Sequence, residues 1–172
     1  NSLMKYSAKD QWHKGNYKTH NNAVEASYPD GTRQIIFQTT EAGFATEDAI
    51  RQLLYWYNSE TEVHPLIKIA SFVYDFLSVH PFQDGNGRLS RLISTLLLLK
   101  NGYNWIQYVS FEHEIENRKS EYYQVLRSCQ KQRPNEDVTV WLKFFLSCLS
   151  NIQTQLMTKL IKSNSETQLM PK

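Results

Sequence analysis

His80-Pro81-Phe82-Gln83-Asp84-Gly85-Asn86-Gly87-Arg88-Leu89-Ser90-Arg91 lies between two helical patterns, and the fold follows from how that junction is read. Before it, Ile69, Phe72, Val73, Phe76 and Leu77 recur at the spacing of one apolar helix face, and His80 continues that face. Pro81 disfavours helical geometry at the residue before it, which predicts a helix ending at His80 with the imidazole at the rim of the core. Gly85, Asn86 and Gly87 can adopt positive φ and turn successive backbone N–H groups into one concavity; a helix starting near Gly87 adds its own free N–H groups. Arg88 and Arg91 then share the first turn of that helix, where cations oppose the macrodipole and repel each other. Such a pair makes sense around an anion with several charges. Asp84 is the only carboxylate of the stretch, and beside a polyphosphate a lone carboxylate is where Mg2+ is held, with phosphate oxygens and water completing its shell. The competing reading is a helix–loop–helix corner with a buried histidine, a glycine-rich turn and two solvated arginines. It explains each feature singly, whereas base, metal ligand and phosphate cradle explain them together.

The stretch resembles the motif of the Fic family, His-Pro-Phe-x-Asp-Gly-Asn-Gly-Arg-x-x-Arg, at every defining position, and a weaker similarity runs from about Tyr17 to about Leu149. The resemblance implies a mainly α fold: a Fic-type helical bundle with a β-hairpin flap before the core helices. It also implies transfer of AMP from Mg-ATP to a Ser, Thr or Tyr hydroxyl of a target protein, with release of pyrophosphate. In that scheme His80 is the base, Asp84 the Mg2+ ligand, Gly85, Asn86 and Gly87 the phosphate cradle, and Arg88 and Arg91 the phosphate-binding cations. Two rivals stay open at this stage. One is another Fic-type reaction, transferring phosphate or phosphocholine or removing AMP; the other is a regulatory module that binds ATP without turnover.

At 172 residues, with 41% hydrophobic and 13% aromatic residues, the chain fits one globular domain. A net charge of +2 does not point to nucleic acid. The apolar run Leu92 to Leu99 is broken by Ser94 and Thr95 and falls short of the roughly 20 residues of a membrane span. Cys129 and Cys148 have no metal-binding spacing and read as reduced core cysteines, which makes the cytoplasm the expected location.

Residues 1–16 show no clear period and are expected to be a lead-in, the remnant of a longer N-terminal region since the sequence does not open with methionine. Residues 17–162 form the expected Fic domain, with a flap at about 24–40. There Tyr28-Pro29-Asp30-Gly31 is a turn signal and Gln34-Ile35-Ile36-Phe37 a strand. A helix is expected from a Thr46 N-cap to about Asn58, and a second from His64-Pro65, where His64 caps, to His80. The helix from Leu89 to about Lys100 is apolar nearly all round and is expected at the centre of the bundle, stopped by Asn101-Gly102. One helix from Ser110 to about Gln130 and a last one from near Asp137 toward Ile161 follow, and 163–172 is expected to be a fraying polar tail.

Further roles come only from the resemblance. Ile35, Ile36 and Phe37 would form an edge on which a target segment docks as an added strand. Tyr122 and Tyr123 would line the adenine pocket, with Gln130 standing where some relatives present asparagine to the nucleotide. Val73 occupies the place of a second histidine found in many relatives. The subgroup most resembled carries an inhibitory helix N-terminal to the Fic core, whose glutamate pairs with the second motif arginine. In this chain only Ser110 to Glu114 has the Ser/Thr-x-x-x-Glu spacing, and Ile115 breaks the pattern, so Arg91 is expected to lack an inhibitory partner here. That glutamate is expected from an upstream segment or, failing that, a separate antitoxin-like protein. The resemblance leaves room for self-modification and for a homodimer.

Overall fold

In the computed structural model, which describes residues 15–27, 31–133 and 135–168, one helix organises the rest. The elements are β1 (Ala23–Ser27), β2 (Arg33–Gln38), α1 (Phe44–Ser59), α2 (Pro65–Val79), α3 (Asn86–Lys100), a 3-10 turn (Asn104–Tyr108), α4 (Phe111–Asn117), α5 (Lys119–Gln130) and α6 (Thr139–Gln168). This is the mainly α bundle with a hairpin that the sequence implies. Helix α2 packs against α1, α3 and α6, and buries Ile69, Ala70, Phe72, Val73, Tyr74, Phe76, Leu77 and Val79. Its N-terminus forms as expected: Pro65 is in the first turn and the His64 ring accepts from the Leu66 N–H at 3.3 Å. From α6, Trp141 is 1% exposed and donates its indole N–H to the Ala70 carbonyl at 2.7 Å, so the largest core side chain leaves no polar atom unpaired.

The bundle's centre is therefore α2 and not α3. Helix α3 buries a line of residues four apart, Asn86, Ser90, Ser94 and Leu98, while Leu92 and Leu96 are 54% and 59% exposed. Small residues let α3 approach α2 closely, and their hydroxyls bond back onto their own helix, Ser90 to the Gly87 carbonyl and Ser94 to the Ser90 carbonyl, each at 2.8 Å. The leucines that make the helix look apolar all round lie on its outer side.

Three other boundaries differ from expectation. Helix α1 starts at Phe44 after a Gly43 N-cap with φ 83°, and Thr46 is buried inside the first turn with its hydroxyl on the Glu41 carbonyl at 2.6 Å. The expected single helix from Ser110 to Gln130 is broken at Arg118. Here tertiary contacts win: the Arg118 guanidinium bonds Ser147 and Glu121, both at 2.8 Å, and lies 4.7 Å over the Phe144 ring, drawing the backbone out of helical geometry. Helix α6 begins at Thr139, whose N–H is received by Asp137, and it continues to Gln168 through most of the segment expected to fray.

The hairpin is antiparallel with a bulge. Val24 faces Phe37 and Glu25 faces Ile35, so Ile36 is the extra residue and both Ile36 and Phe37 turn inward. Ile35 remains 52% exposed. The turn at 28–30 and the lead-in at 1–14 lie outside the described residues. Among the described residues no helix is long and apolar enough to cross a membrane.

Candidate active site

His80 ends α2 as its C-cap with φ 52° and ψ 60°, the only left-handed residue other than glycine among those described. That conformation costs on the order of 1–3 kcal/mol and persists only where neighbours impose it, although histidine tolerates it better than most residues. The ring's Nδ1 is 3.2 Å from the Leu77 carbonyl, which can only accept, so Nδ1 carries the proton and Nε2 keeps its lone pair. Burial lowers the His80 pKa from 6.5 to about 4; the Leu77 hydrogen bond opposes this, the Lys18 ammonium reinforces it and Asp84 opposes it. At neutral pH the imidazole is an uncharged base.

The loop after His80 is closed by Asn86. Its side-chain oxygen accepts from the Phe82 N–H at 2.9 Å and its amide donates to the Phe82 carbonyl at 2.6 Å, while the residue is 1% exposed. Asn86 thus shapes the loop, its side chain bonded on both its oxygen and its nitrogen. Gly85 is the helix N-cap with φ 83°; Gly87 is helical, so positive φ occurs at one of the two glycines. At Gly87 a Cβ would meet Nη1 of Arg91 at 3.3 Å, close enough to shift that guanidinium slightly. The first-turn N–H groups of α3 have no partner within the helix and point out of its N-terminus.

Both arginines stand at that end. Arg88 pairs with Asp84 at 3.3 Å, and Arg91 places Nε and Nη2 on Glu112 of α4 at 3.1 and 2.7 Å. Arg91 thus has a carboxylate partner that the sequence did not point to, outside the Ser/Thr-x-x-x-Glu spacing of an inhibitory helix. Glu112 follows the Ser110 cap, where an acid suits the helix dipole, so in the sequence its role as a cap neighbour concealed its reach to Arg91. Glu114, at the Ser/Thr-x-x-x-Glu spacing, is a core residue bonded by Asn151 at 3.2 Å.

Between β2 and α5 lies a cavity of about 450 Å3 lined in part by Phe37, Thr39, Arg127 and Gln130. Gln130 is buried, donates to the Ser78 hydroxyl at 2.5 Å and leaves its Oε1 without a donor. Gln83 Oε1, within the motif, is the other buried side-chain acceptor without a partner among the described residues. The tyrosine pair is divided: Tyr122 is buried against Trp141 and Phe144, its hydroxyl pKa pushed up by burial against the opposing Arg91 charge, and Tyr123 is half-buried beside it.

Among known proteins, the family profile described as Fic/DOC family matches residues 2–98, more than half of the 172 residues. The chain belongs to the Fic/DOC family. This Fic chain is 31% identical over 96 residues to "Protein adenylyltransferase Fic" of Drosophila virilis and 32% identical over 95 residues to that of Drosophila melanogaster. Those matches cover 55% and 54% of this chain but 18% and 17% of the fly proteins. The fold is similar to the crystal structure of a Fic family protein from Desulfovibrio desulfuricans G20, with a TM-score of 0.73 and 28% identity over 91% of this chain and 44% of that one. A Fic domain containing signaling protein from Bacteroides thetaiotaomicron shares the fold at a TM-score of 0.61 and 24% identity, covering 84% of this chain and 55% of that one. Two site features of the Fic chain carry no sequence signal of their own. They are Glu112 on Arg91 and a buried lysine, Lys18, in a segment with no apolar period.

Proposed function

We propose that this chain is a protein adenylyltransferase. His80 Nε2 takes the proton from a Ser, Thr or Tyr hydroxyl of a target protein; that oxygen bonds the α-phosphorus of ATP as the bond to the bridging oxygen breaks and pyrophosphate leaves. The observation that carries the reading is the state of His80: neutral, held by Leu77 with Nε2 unprotonated, and two turns of sequence from a helix N-terminus flanked by two arginines.

The other groups fit a nucleotide. The N-terminus of α3 with Arg88 and Arg91 suits the phosphates, each arginine exchanging its carboxylate for phosphate oxygens. The cavity beside β2, with Gln130 in its lining and Tyr123 on the same helix, would take the adenine ring. Asp84 is 59% exposed at its side chain and is the carboxylate that would hold Mg2+ together with phosphate oxygens; when bound, the ion spreads phosphate charge. The target segment would lie along the hairpin, where the Ile35 side chain is exposed and Ile36 and Phe37 anchor the strand beneath.

Incubation with ATP labelled at the α- or the γ-phosphate tests the reaction. The α-label is expected on protein and the γ-label in pyrophosphate. His80→Ala is expected to lower transfer by about 10^2- to 10^4-fold and to leave ATP affinity within about threefold, since the base acts on the hydroxyl. Retention of the γ-label, or tight binding with no transfer by the wild type, would overturn the reading.

A further inference from the structure

Lys18 is 2% exposed, and its ammonium has three acceptors within hydrogen-bond reach: the Val79 carbonyl at 2.8 Å, the Thr39 hydroxyl at 2.9 Å and the Asn22 side-chain oxygen at 3.0 Å. All three proton positions of the ammonium are used. Asn22 precedes β1 and Thr39 follows β2, so these two residues are the feet of the hairpin, while Val79 directly precedes His80. The stitching continues on both sides. The Lys18 N–H donates to the Pro81 carbonyl at 2.8 Å, the Asn22 amide donates to the Phe82 carbonyl at 2.9 Å, and the Thr39 hydroxyl donates to the Asn22 carbonyl at 2.9 Å. Residues 79 to 82 are thus tied to the hairpin through one buried side chain and its immediate neighbours.

We propose that Lys18 is a positioning residue that locks the base of the hairpin to the His80 loop, imposing the left-handed backbone of His80 and so the placement of its imidazole for the transfer reaction. Two observations support this apart from the hydrogen bonds. The His80 conformation is strained and needs surroundings that fix it on both sides; Leu77 fixes the ring, and the Lys18 network fixes the carbonyls of Val79, Pro81 and Phe82 around it. The ammonium's positive charge also disfavours a second positive charge on the imidazole. Burial lowers the Lys18 pKa to about 8, so at pH 7 it is still mainly protonated. Its bonded neighbours Asn22, Thr39 and Val79 are uncharged; the titratable groups coupled to the pair are His80 itself and Asp84, which acts on His80 with the opposite sign.

The role in turnover rests on the adenylyltransferase reading, but the effect on His80 does not, and the test keeps them apart. Lys18→Met, Lys18→Arg and wild type are compared by NMR titration of the His80 imidazole and, separately, by transfer kinetics. Lys18→Met is expected to raise the His80 pKa by about half a unit or more and to lower kcat at least about tenfold with KM for ATP within about threefold. Lys18→Arg, which keeps the charge and the donors, is expected to restore the titration and most of kcat. Should Lys18→Met fail to fold, Lys18→Gln, neutral but still an N–H donor, is read in the same way. A folded neutral variant with an unshifted His80 pKa and undiminished kcat overturns the proposal, as does equal loss in the neutral and arginine variants. If wild type transfers no AMP, the functional reading fails while the His80 titration still decides the role of Lys18.

Discussion

At the scale of single residues, His80 shows how a half-buried imidazole is kept uncharged without a carboxylate hydrogen-bonded to it. Its pKa of about 4, against 6.5 in the unfolded chain, means that the folded state binds the proton less readily. The residue's contribution to stability is therefore full above pH 6.5 and is lost as pH falls through about 4. The same shift sets the kinetics: kcat/KM is expected to stay flat from about pH 7.5 down to about 5 and to fall below that, and a midpoint near 6.5 in a pH–rate profile would mean an exposed ring. Asn86 is the residue on which loop closure depends. Asn86→Ala would leave the Phe82 N–H without its partner and the Phe82 carbonyl with Asn22 alone, and is expected to cost about 1–3 kcal/mol in urea unfolding. A loss under about 0.5 kcal/mol would show that the loop holds without it.

Among elements, the break between α4 and α5 has the largest consequence for the site. A continuous helix from Ser110 would follow its apolar period, but Arg118 reaches α6 and the chain turns, leaving α4 a separate short helix beside α3. Glu112 then lies on Arg91. Because the Glu112 side chain is 62% exposed, the pair is a solvent-screened one of about 0.2–1 kcal/mol. Glu112→Gln is expected to tighten Mg-ATP binding by about two- to fivefold in calorimetry, and Arg91→Ala to weaken it whether or not Glu112 is present. Unchanged affinity in Glu112→Gln would show that phosphate does not compete for Arg91. In the hairpin, the bulge at Ile36 turns two consecutive residues inward, so of Ile35, Ile36 and Phe37 only Ile35 keeps an exposed side chain. Ile35→Lys is accordingly expected to reduce modification of a protein target more than binding of ATP, and equal losses would give the hairpin a supporting role only.

For the whole molecule, pH dependence of stability has a second source in Asp75, near Glu136 and Arg133 and lining a cavity with Trp56 and Ser78. Burial first and Glu136 second raise its pKa from 3.8 to about 6, with Arg133 opposing, so its ionisation disfavours the folded state as pH rises through about 6. The residue as a whole is exposed and solvent screens the effect, so Asp75→Asn is expected to add about 1 kcal/mol or less at pH 7.5, and nothing below about pH 4, when followed by thermal melts. An equal gain at both pH values would assign the effect to packing. Sequence by itself determined whatever depends on local rules and close spacing. The helix stop at His80-Pro81, the Pro65 and Ser110 helix starts, the Gly102 stop and the grouping of the motif's charged residues all follow from backbone conformation and capping within a few residues. Tertiary structure decided what depends on approach between distant segments. The outer face of α3 at Leu92 and Leu96 was illegible because apolarity on all sides does not say which side meets α2; small serines do, once the two helices pack. The break at Arg118, Glu112 on Arg91 and Lys18 under the hairpin are set by side chains reaching 20 to 60 or so residues along the chain, and hydrogen-bond partners at that separation leave no period in a sequence.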